Sequence, residues 1–408
     1  MPENLKPRDA AEVEQAIQWA IAGAKTLEIV GRGSKRLVGR AAQWDMTLDL
    51  SGLSGVTLYE PAELVLSAKA GTPLSEIEAL LAGSGQGLAF EPMDYGPLLG
   101  RADGGATIGG VLSSNLSGPR RIKAGAARDH FLGVTAVSGR GETFKSGGRV
   151  VKNVTGYDLC KLLAGSWGTL AAMTDVTVKT LPRAETECTV LVLGLDEATA
   201  GKLMTAVMGS FADASAAAHM PPTLVKRIAA IAAADGSVTA FRIEGVPPSV
   251  AHRAALLEDL ARSYGRLGTL DEPSSRELWR GVRDATPFAA GGPSGGRDVW
   301  RISTAPASGA ELGRALTERV RAEVLYDWAG GLIWAALPPS DDAAAGLVRS
   351  LVAERGGNAT LIRAPASVRA VVDVFQPQAP ALAALTKRVR ESFDPRGVLN
   401  PGRMWAGV

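Results

Sequence analysis

The sequence of 408 residues predicts an α+β protein of two packed domains. Its length exceeds what one ordinary hydrophobic core serves. Between Asp94 and Pro182, glycine, serine, threonine and asparagine recur at close intervals between short apolar runs, the texture of strands joined by tight bends. After Pro182, strand-like runs alternate with Ala- and Leu-rich helical ones, which suggests helices laid on an antiparallel sheet.

Composition narrows the function. The chain is 46% hydrophobic and 21% charged, as a soluble globular protein is. Its 44 basic residues balance 42 acidic ones for a net charge of +2, which leaves no electrostatic footprint for nucleic acid. No apolar run approaches the roughly 18 residues of a membrane span, and the polar start MPENLKPRDA lacks a signal region, so export is not expected. Cys160 and Cys188 stand apart without C-x-x-C spacing. They read as small packing residues in a reducing compartment.

Residues 8–24 set Val13, Ile17, Ala20 and Ile21 three or four apart, which predicts a helix with Asp9 as its N-cap. TLEIVGRGSKRLVG (26–39) reads as a buried strand running into a glycine-rich turn. There Gly31, Arg32, Gly33, Ser34 and Lys35 can aim consecutive amides at an anion, although the same residues also make ordinary turns. The G-x-G-x-x-G order of a dinucleotide-binding helix is missing. Residues 46–70 alternate apolar with polar as half-buried strands do. A helix follows within 71–92, with Leu74, Ile77, Leu80 and Leu81 as its stripe, ended by Gly83 and Gly85. Asp94 reads as a charged loop residue or a ligand carboxylate.

TIGGVLSSNLSG (107–118) and RVVKNVTGYDLCKLLAGSWGTL (149–170) let main-chain amides approach a flat polar ligand without side chains in the way. Asn115 can offer a donor and acceptors to a ring edge, or simply form a turn. Between these runs, 128–148 reads as strand, turn and strand. Beyond Pro182, strands are expected at 188–195, 236–245, 299–306 and 330–337, and helices at 196–210, 248–264, 309–322 and 341–355. The loop 286–298, rich in Gly, Pro and Ser, is expected to be exposed and mobile. FDPRGVLNPGRMW (393–405) forms two tight turns after a helix. The histidines, His130, His219 and His252, are scattered and support no metal site. Arg301 and Arg363 are candidates to clamp a carboxylate from the second domain.

One ordered set of residues carries a family likeness: Pro92-Met93-Asp94, Thr107 to Gly110, Ser114-Asn115 with Gly118, Arg128-Asp129, the Phe-Leu-Gly at 131–133, VKNVTGYDL, LLAGSWGTL and KTLP. It resembles the FAD-binding domain of the vanillyl-alcohol-oxidase, or PCMH, type, and within that type the FAD-binding subunits of glycolate oxidase. The resemblance runs from about residue 8 to the C-terminus and is most specific over 92–182. It implies a two-lobed FAD-binding domain over 1–182, an α+β cap with an antiparallel sheet over 183–390, and a tail, 391–408, returning to the first domain.

The resemblance also implies site residues. The FAD pyrophosphate falls to Gly31, Arg32, Gly33, Ser34 and Lys35. The flavin side falls to Thr107, Ile108, Gly109, Gly110, Ser114, Asn115, Gly118, Gly125 and Ala126, continuing through Lys152, Asn153, Tyr157 and Asp158. Pro92, Gly168, Leu170 and Asn400 complete the cofactor contacts. With no histidine in or beside the 31–35 loop, the FAD should be noncovalent. Trp167 stands where relatives often carry an acid, Ala171 where they usually carry glycine, and 97–106 is an insertion. The implied function is the FAD-binding subunit of a multi-subunit glycolate oxidase. Its partners would be a larger related flavin subunit, which oxidises a small 2-hydroxy acid, and an iron–sulfur subunit. A self-sufficient FAD-dependent D-2-hydroxy-acid dehydrogenase using Arg301 or Arg363 is the alternative; a structural subunit with a degenerate pocket is a third reading. The implied location is cytoplasmic, with peripheral attachment to the inner membrane through the complex left open.

Overall fold

A computed structural model describes residues 3–101, 104–149 and 156–407. In its first part, a parallel sheet places Met46–Asp49 between Glu3–Leu5 and Leu27–Val30. Beside it, an antiparallel five-stranded sheet runs in the order Val56–Glu60, Val65–Lys69, Ala171–Lys179, Phe131–Ser138, Thr143–Gly147. The helix Ala10–Ala22 starts where Asp9 accepts from the Glu12 amide at 2.9 Å. Its buried face, Val13, Ile17 and Ala20, packs with Leu27 and Leu48 of one sheet and Val137 and Ala172 of the other. One amphipathic stripe thus ties the two sheets together.

Two local expectations change. In the helix Leu74–Ala82, Leu74, Ile77 and Leu81 point inward but Leu80 is 39% exposed, because a residue turned roughly 100° from Leu81 leaves a narrow stripe. The Thr107 to Gly110 run lies in the region read as strands joined by tight bends, yet it opens a helix, Ile108–Ser114. Thr107 caps it by accepting from the Gly110 amide at 3.2 Å, and Asn115 ends it in the left-handed region at φ 51°, a conformation asparagine tolerates well.

The second part is one antiparallel eight-stranded sheet: Arg266–Leu270, Thr186–Leu193, Val238–Gly245, Ala216–Met220, Glu323–Asp327, Leu332–Leu337, Asp298–Ser303, Asn358–Arg363. The helices Glu197–Met208, Pro247–Ala261, Pro306–Val320 and Ala345–Arg355 pack on it. Alternation along Val238–Gly245 shows the division of faces. Phe241 and Ile243 join the core under the 197–208 and 247–261 helices, whereas Val238 and Ala240 join the core shared with the first part.

The loop 286–298 is exposed at Gly291, Gly292, Pro293 and Gly296, as its composition suggests, but it is pinned on both sides of them. Phe288 and Ser294 are fully buried, and Arg363 donates to the carbonyls of Phe288, Ser294 and Arg297 from below, and to that of Leu98. After the helix Pro380–Phe393 the chain returns to the first sheet. Asp394 accepts from the Val398 and Leu399 amides, Leu27 N donates to Val398 O, and Asn400 N donates to Leu27 O. The tail therefore extends the edge of the Leu27–Val30 strand.

Candidate functional site

A hollow opens where the chain leaves the Leu27–Val30 strand. It encloses about 690 Å³ of empty space, open mouth included, between residues 29–36, the first turn of the Ile108–Ser114 helix, Trp167-Gly168 and Arg403. Close approach between its walls depends on missing side chains. A Cβ on Gly31 would sit 2.5 Å from Thr107 Oγ1, and one on Gly109 would sit 2.8 Å from Ala70. Gly33 has φ +74°, and a Cβ placed on it would meet nothing within 4 Å, so its backbone lies bare in the loop.

Two buried cations line this hollow without an ion-pair partner among the described residues. Lys35 is 8% exposed, and its Nζ donates to Ser34 Oγ at 3.2 Å. Burial brings its pKa down to about 8, against the field of Asp94, which raises it. Arg403 is 5% exposed and donates from Nη2 to Lys35 O at 3.0 Å, but its Nε and Nη1 are buried without a hydrogen-bond partner among the described residues. Burial lowers its pKa to about 10. Its guanidinium carbon lies 5.7 Å from the Trp167 ring centroid. Buried charges are ordinarily paired; two unpaired ones beside a glycine-lined loop fit an anionic group such as a diphosphate.

Trp167 forms a wall of the hollow. It takes φ +55°, donates from its amide to Ser113 O at 2.8 Å, and stacks edge-on against Phe375 at 5.5 Å. Behind it, fully buried Asn400 donates from Nδ2 to Trp167 O at 2.9 Å and accepts from the Ile29 amide at 2.9 Å.

Of the expected cofactor residues, Gly31, Arg32, Gly33, Ser34, Lys35, Thr107, Gly109, Gly110 and Gly168 meet in the hollow. Ile108 lies in the core behind them. Ser114 donates to Gly110 O at 2.6 Å, and Asn115 Oδ1 accepts from the Arg128 amide at 3.0 Å. Gly118 abuts Glu91 and Arg283, while Gly125 and Ala126 wrap Asp129, which accepts from the Ala126 amide. These follow the Ile108–Ser114 helix away from the hollow towards the second sheet. Leu170 lines another groove with Leu385 and Trp405, and Pro92 lines a charged cleft with Arg120 and Arg242. Lys152 and Asn153 lie outside the described residues. Tyr157 is 90% exposed, and Asp158 caps the helix Leu159–Leu163. Arg403 was missed: a lone basic residue in a terminal turn carries no local signal of burial.

The arginine candidates diverge. Arg363, expected to clamp a carboxylate, has its guanidinium committed to four backbone carbonyls. Arg301 instead lies over Trp328 and Trp334, 5.1 and 6.0 Å from their ring centroids. His130 holds Ala124 O at 2.8 Å, and His219 meets Thr239 Oγ1 at 2.9 Å. Among the described residues no group of three His, Cys, Asp or Glu gathers as a metal-ligand set.

Comparison with known proteins agrees with this geometry. Residues 4–147 match the family described as FAD binding domain. The solved structure of p-cresol methylhydroxylase with substrate bound shares the fold at TM-score 0.73 and 13% identity, over 98% of this chain and 88% of that one. Alkyldihydroxyacetonephosphate synthase does so at TM-score 0.69 and 16% identity, over 98% and 76%. Family match and shared fold together define an FAD-binding protein of the PCMH fold. The glycolate oxidase subunit GlcE of Escherichia coli (strain K12) is 32% identical over 394 residues, 96% of each chain. The glycolate oxidase subunit GlcD of Bacillus subtilis (strain 168) is 31% identical over 195 residues, 47% of this chain and 40% of its own. The chain belongs to the family of the glycolate oxidase subunit GlcE.

Proposed function

We propose that this chain is the FAD-binding subunit of a multi-subunit glycolate oxidase, in which a larger related flavin subunit oxidises glycolate to glyoxylate and an iron–sulfur subunit takes the electrons onward. The observation that carries the cofactor reading is the pair of buried, unpaired cations, Lys35 and Arg403, in one glycine-lined hollow. The near-complete mutual coverage with a glycolate oxidase subunit supports the choice of complex.

In this reading the amides of Gly31 to Lys35, with the Lys35 ammonium and the free Arg403 nitrogens, hold the FAD pyrophosphate noncovalently. FAD, when bound, supplies acceptance of a hydride from a C–H bond. The chain's own part is to neutralise the diphosphate, to fix its depth through the Gly31–Thr107 contact, and to keep water from it with Trp167. The FAD domain then spans 1–182, the cap 183–390 and the returning tail 391–408. Among the described residues no helix is long and apolar enough to cross a membrane, and we place the complex in the cytoplasm, with attachment to the inner membrane left to its other subunits.

The alternative, a self-sufficient D-2-hydroxy-acid dehydrogenase, loses one of its two arginines, because Arg363 is engaged elsewhere. The visible spectrum of the purified chain, followed by anaerobic glycolate or D-lactate, tests both. A yellow protein that neither acid bleaches supports the proposal, bleaching supports the alternative, and a colourless chain that takes up no FAD overturns both.

A further inference from the structure

Behind the wall that Trp167 presents to the hollow lies the groove that Leu170 lines. It holds about 780 Å³ of empty space, open mouth included, between residues 162–170, the helix Pro380–Phe393 and the turn at Met404-Trp405. Leu162, Leu170, Leu385, Val389, Met404 and Trp405 make its lining apolar, and among the described residues Arg390 is the one charged side chain that lines it. The wall faces both ways. Trp167, Gly168 and Arg403 line the hollow, whereas Leu170, Met404 and Trp405 of the same two segments line the groove. Trp405 reaches Trp167 through Phe375, with ring centroids 6.2 and 5.5 Å apart.

The helix Pro380–Phe393 inverts the usual pattern. A surface helix ordinarily buries its apolar stripe and leaves its charges in water. Here the single buried side chain is Arg390, 7% exposed, while Leu382 and Leu385 are 51% and 48% exposed. Leu382, Leu385 and Val389 share one face at three- and four-residue intervals, and Leu162, 39% exposed, continues that face across the groove. One exposed leucine needs no explanation, but three around a groove that holds Met404 and Trp405 mark an interaction surface.

The charges at the rim are mainly basic. Lys387 lies 3.9 Å from Glu391, Lys161 is held by Phe131 O and Asp158, and Asp394 accepts from the Val398 and Leu399 amides. Among the described residues Arg388, Arg390 and Arg396 make no ion pair, and the Arg390 guanidinium has one hydrogen bond, from Nη2 to Leu399 O at 3.4 Å. Burial lowers the Arg390 pKa, which Asp394 only partly offsets. At about 100° per residue, Lys387 and Arg388 flank the leucine stripe on its two sides.

We propose that this groove docks an amphipathic helix of a partner subunit, apolar along the stripe that meets Leu382, Leu385 and Leu162 and acidic along its edges, with one carboxylate placed on Arg390. The inference rests on reading the chain as one subunit of a complex, and it names the face by which the chain joins. The wall helix has 14 residues and is about 21 Å long at roughly 1.5 Å per residue, so a helix laid beside it can pack over about four turns. A carboxylate on Arg390 would supply the charge-assisted bond that its guanidinium lacks. A second copy of this chain is the poorer occupant, since it would set Arg388 and Arg390 against their own likes. A bilayer is poorer too, since a flat surface cannot enter a groove and would leave Arg390 uncovered.

The experiment measures, by interferometry, the affinity of the immobilised full chain for the co-expressed larger flavin subunit and iron–sulfur subunit. Leu382→Glu and Leu385→Glu should each weaken it by about tenfold or more, as loss of an interface anchor does. Lys387→Glu with Arg388→Glu should weaken it and reduce its dependence on salt. Leu256→Glu, at a leucine 39% exposed on the helix Pro247–Ala261, should change nothing. Benzoylphenylalanine in place of Leu385 should crosslink to one acid-flanked helix of a partner subunit. None of these positions lies in the wall of the hollow, so flavin absorbance should stay native, and an unchanged melting midpoint shows that a variant has folded; if Leu385→Glu melts early, Leu382→Glu and the crosslink decide. Native affinity in both folded leucine variants, a crosslink to a second copy of the chain, or binding to phosphatidylglycerol vesicles that these substitutions abolish while subunit affinity stays native would overturn the docking. A native chain that holds neither subunit overturns the complex and the docking with it, whereas a complex that forms and ignores both leucine substitutions removes the docking alone.

Discussion

Arg242 and Glu91 meet in a two-pronged ion pair, Nη1 to Oε1 at 2.8 Å and Nη2 to Oε2 at 3.0 Å, that joins the second sheet to the segment before Pro92. Arg242 is 2% exposed, and Glu244 and Arg120 complete the cluster. Burial alone would raise both carboxyls. For Glu244, Arg242 and Arg120 outweigh it and hold the pKa near 2, below its ordinary 4.5; Glu91 is likewise held low by the same two arginines.

A carboxylate whose folded pKa is depressed stabilises the fold fully above its unfolded value and loses that effect as pH falls through the folded one. For Glu244 the window runs from about pH 4.5 down to about 2, and the shift is worth on the order of 3 kcal/mol. Melting midpoints between pH 7 and pH 2.5 should fall steeply below about 4.5 in the native chain and less steeply in Glu244→Gln; parallel curves would exclude the cluster as the cause. Arg242→Met, which leaves Glu91 and Glu244 to Arg120 alone, should cost about 3 kcal/mol at pH 7.

Gly31→Ala would drive a methyl group to 2.5 Å from Thr107 Oγ1. Overpacking of this kind costs about 1–3 kcal/mol. Because the clash is with one hydroxyl, Thr107→Ala added to Gly31→Ala should recover part of the loss despite removing a helix cap. Urea unfolding of the two single variants and the double variant measures the coupling, and strict additivity would contradict the contact.

Flavin retention should depend on both unpaired cations of the hollow. Lys35→Met or Arg403→Gln should weaken FAD binding by about ten- to a hundredfold, the range of one charge-assisted hydrogen bond. With the Lys35 pKa at about 8, the free chain loses the cation above that pH. FAD affinity should therefore fall as pH rises from 7 to 9, by up to about tenfold per unit, and Lys35→Met should flatten the profile. Equilibrium dialysis across that range is the measurement.

Arg363→Met should free the 286–298 loop, since it removes the donor shared by four carbonyls. Unsatisfied buried acceptors put the cost at about 3 kcal/mol or more. Limited proteolysis should then nick the chain between residues 289 and 297 faster than in the native protein. An unchanged rate would mean that the remaining anchors hold the loop: buried Phe288, Ser294 beside Arg227 and Glu323, and the Ala290 amide on Pro97 O.

Elements whose signals are local were legible in the sequence. Asp9 announced its helix, and the four expected strands and four expected helices after Pro182 each overlap an observed one. Strands such as Ala216–Met220, built on alanines with poor β-propensity, were not legible. Nor was the helix at Ile108–Ser114, where Gly109 and Gly110 argue against a helix and only the Thr107 cap argues for it. In the site, the Gly31–Lys35 loop was readable through the family resemblance, because Gly31, Gly33 and Ser34 by themselves also make ordinary turns. The role of Arg363 was not, because its acceptors sit at 98, 288, 294 and 297, and no spacing rule connects positions so far apart.

Lys35 and Arg403 touch although 368 positions separate them in the chain. Ribosomal synthesis releases the first long before the second exists, so a growing polypeptide presents a three-sided groove, and loading with a nucleotide belongs to the finished molecule. The same geometry exposes a vulnerability after synthesis. Cleavage just after Asn400 would remove one bank of the groove and leave every strand of the three-, five- and eight-stranded sheets in place.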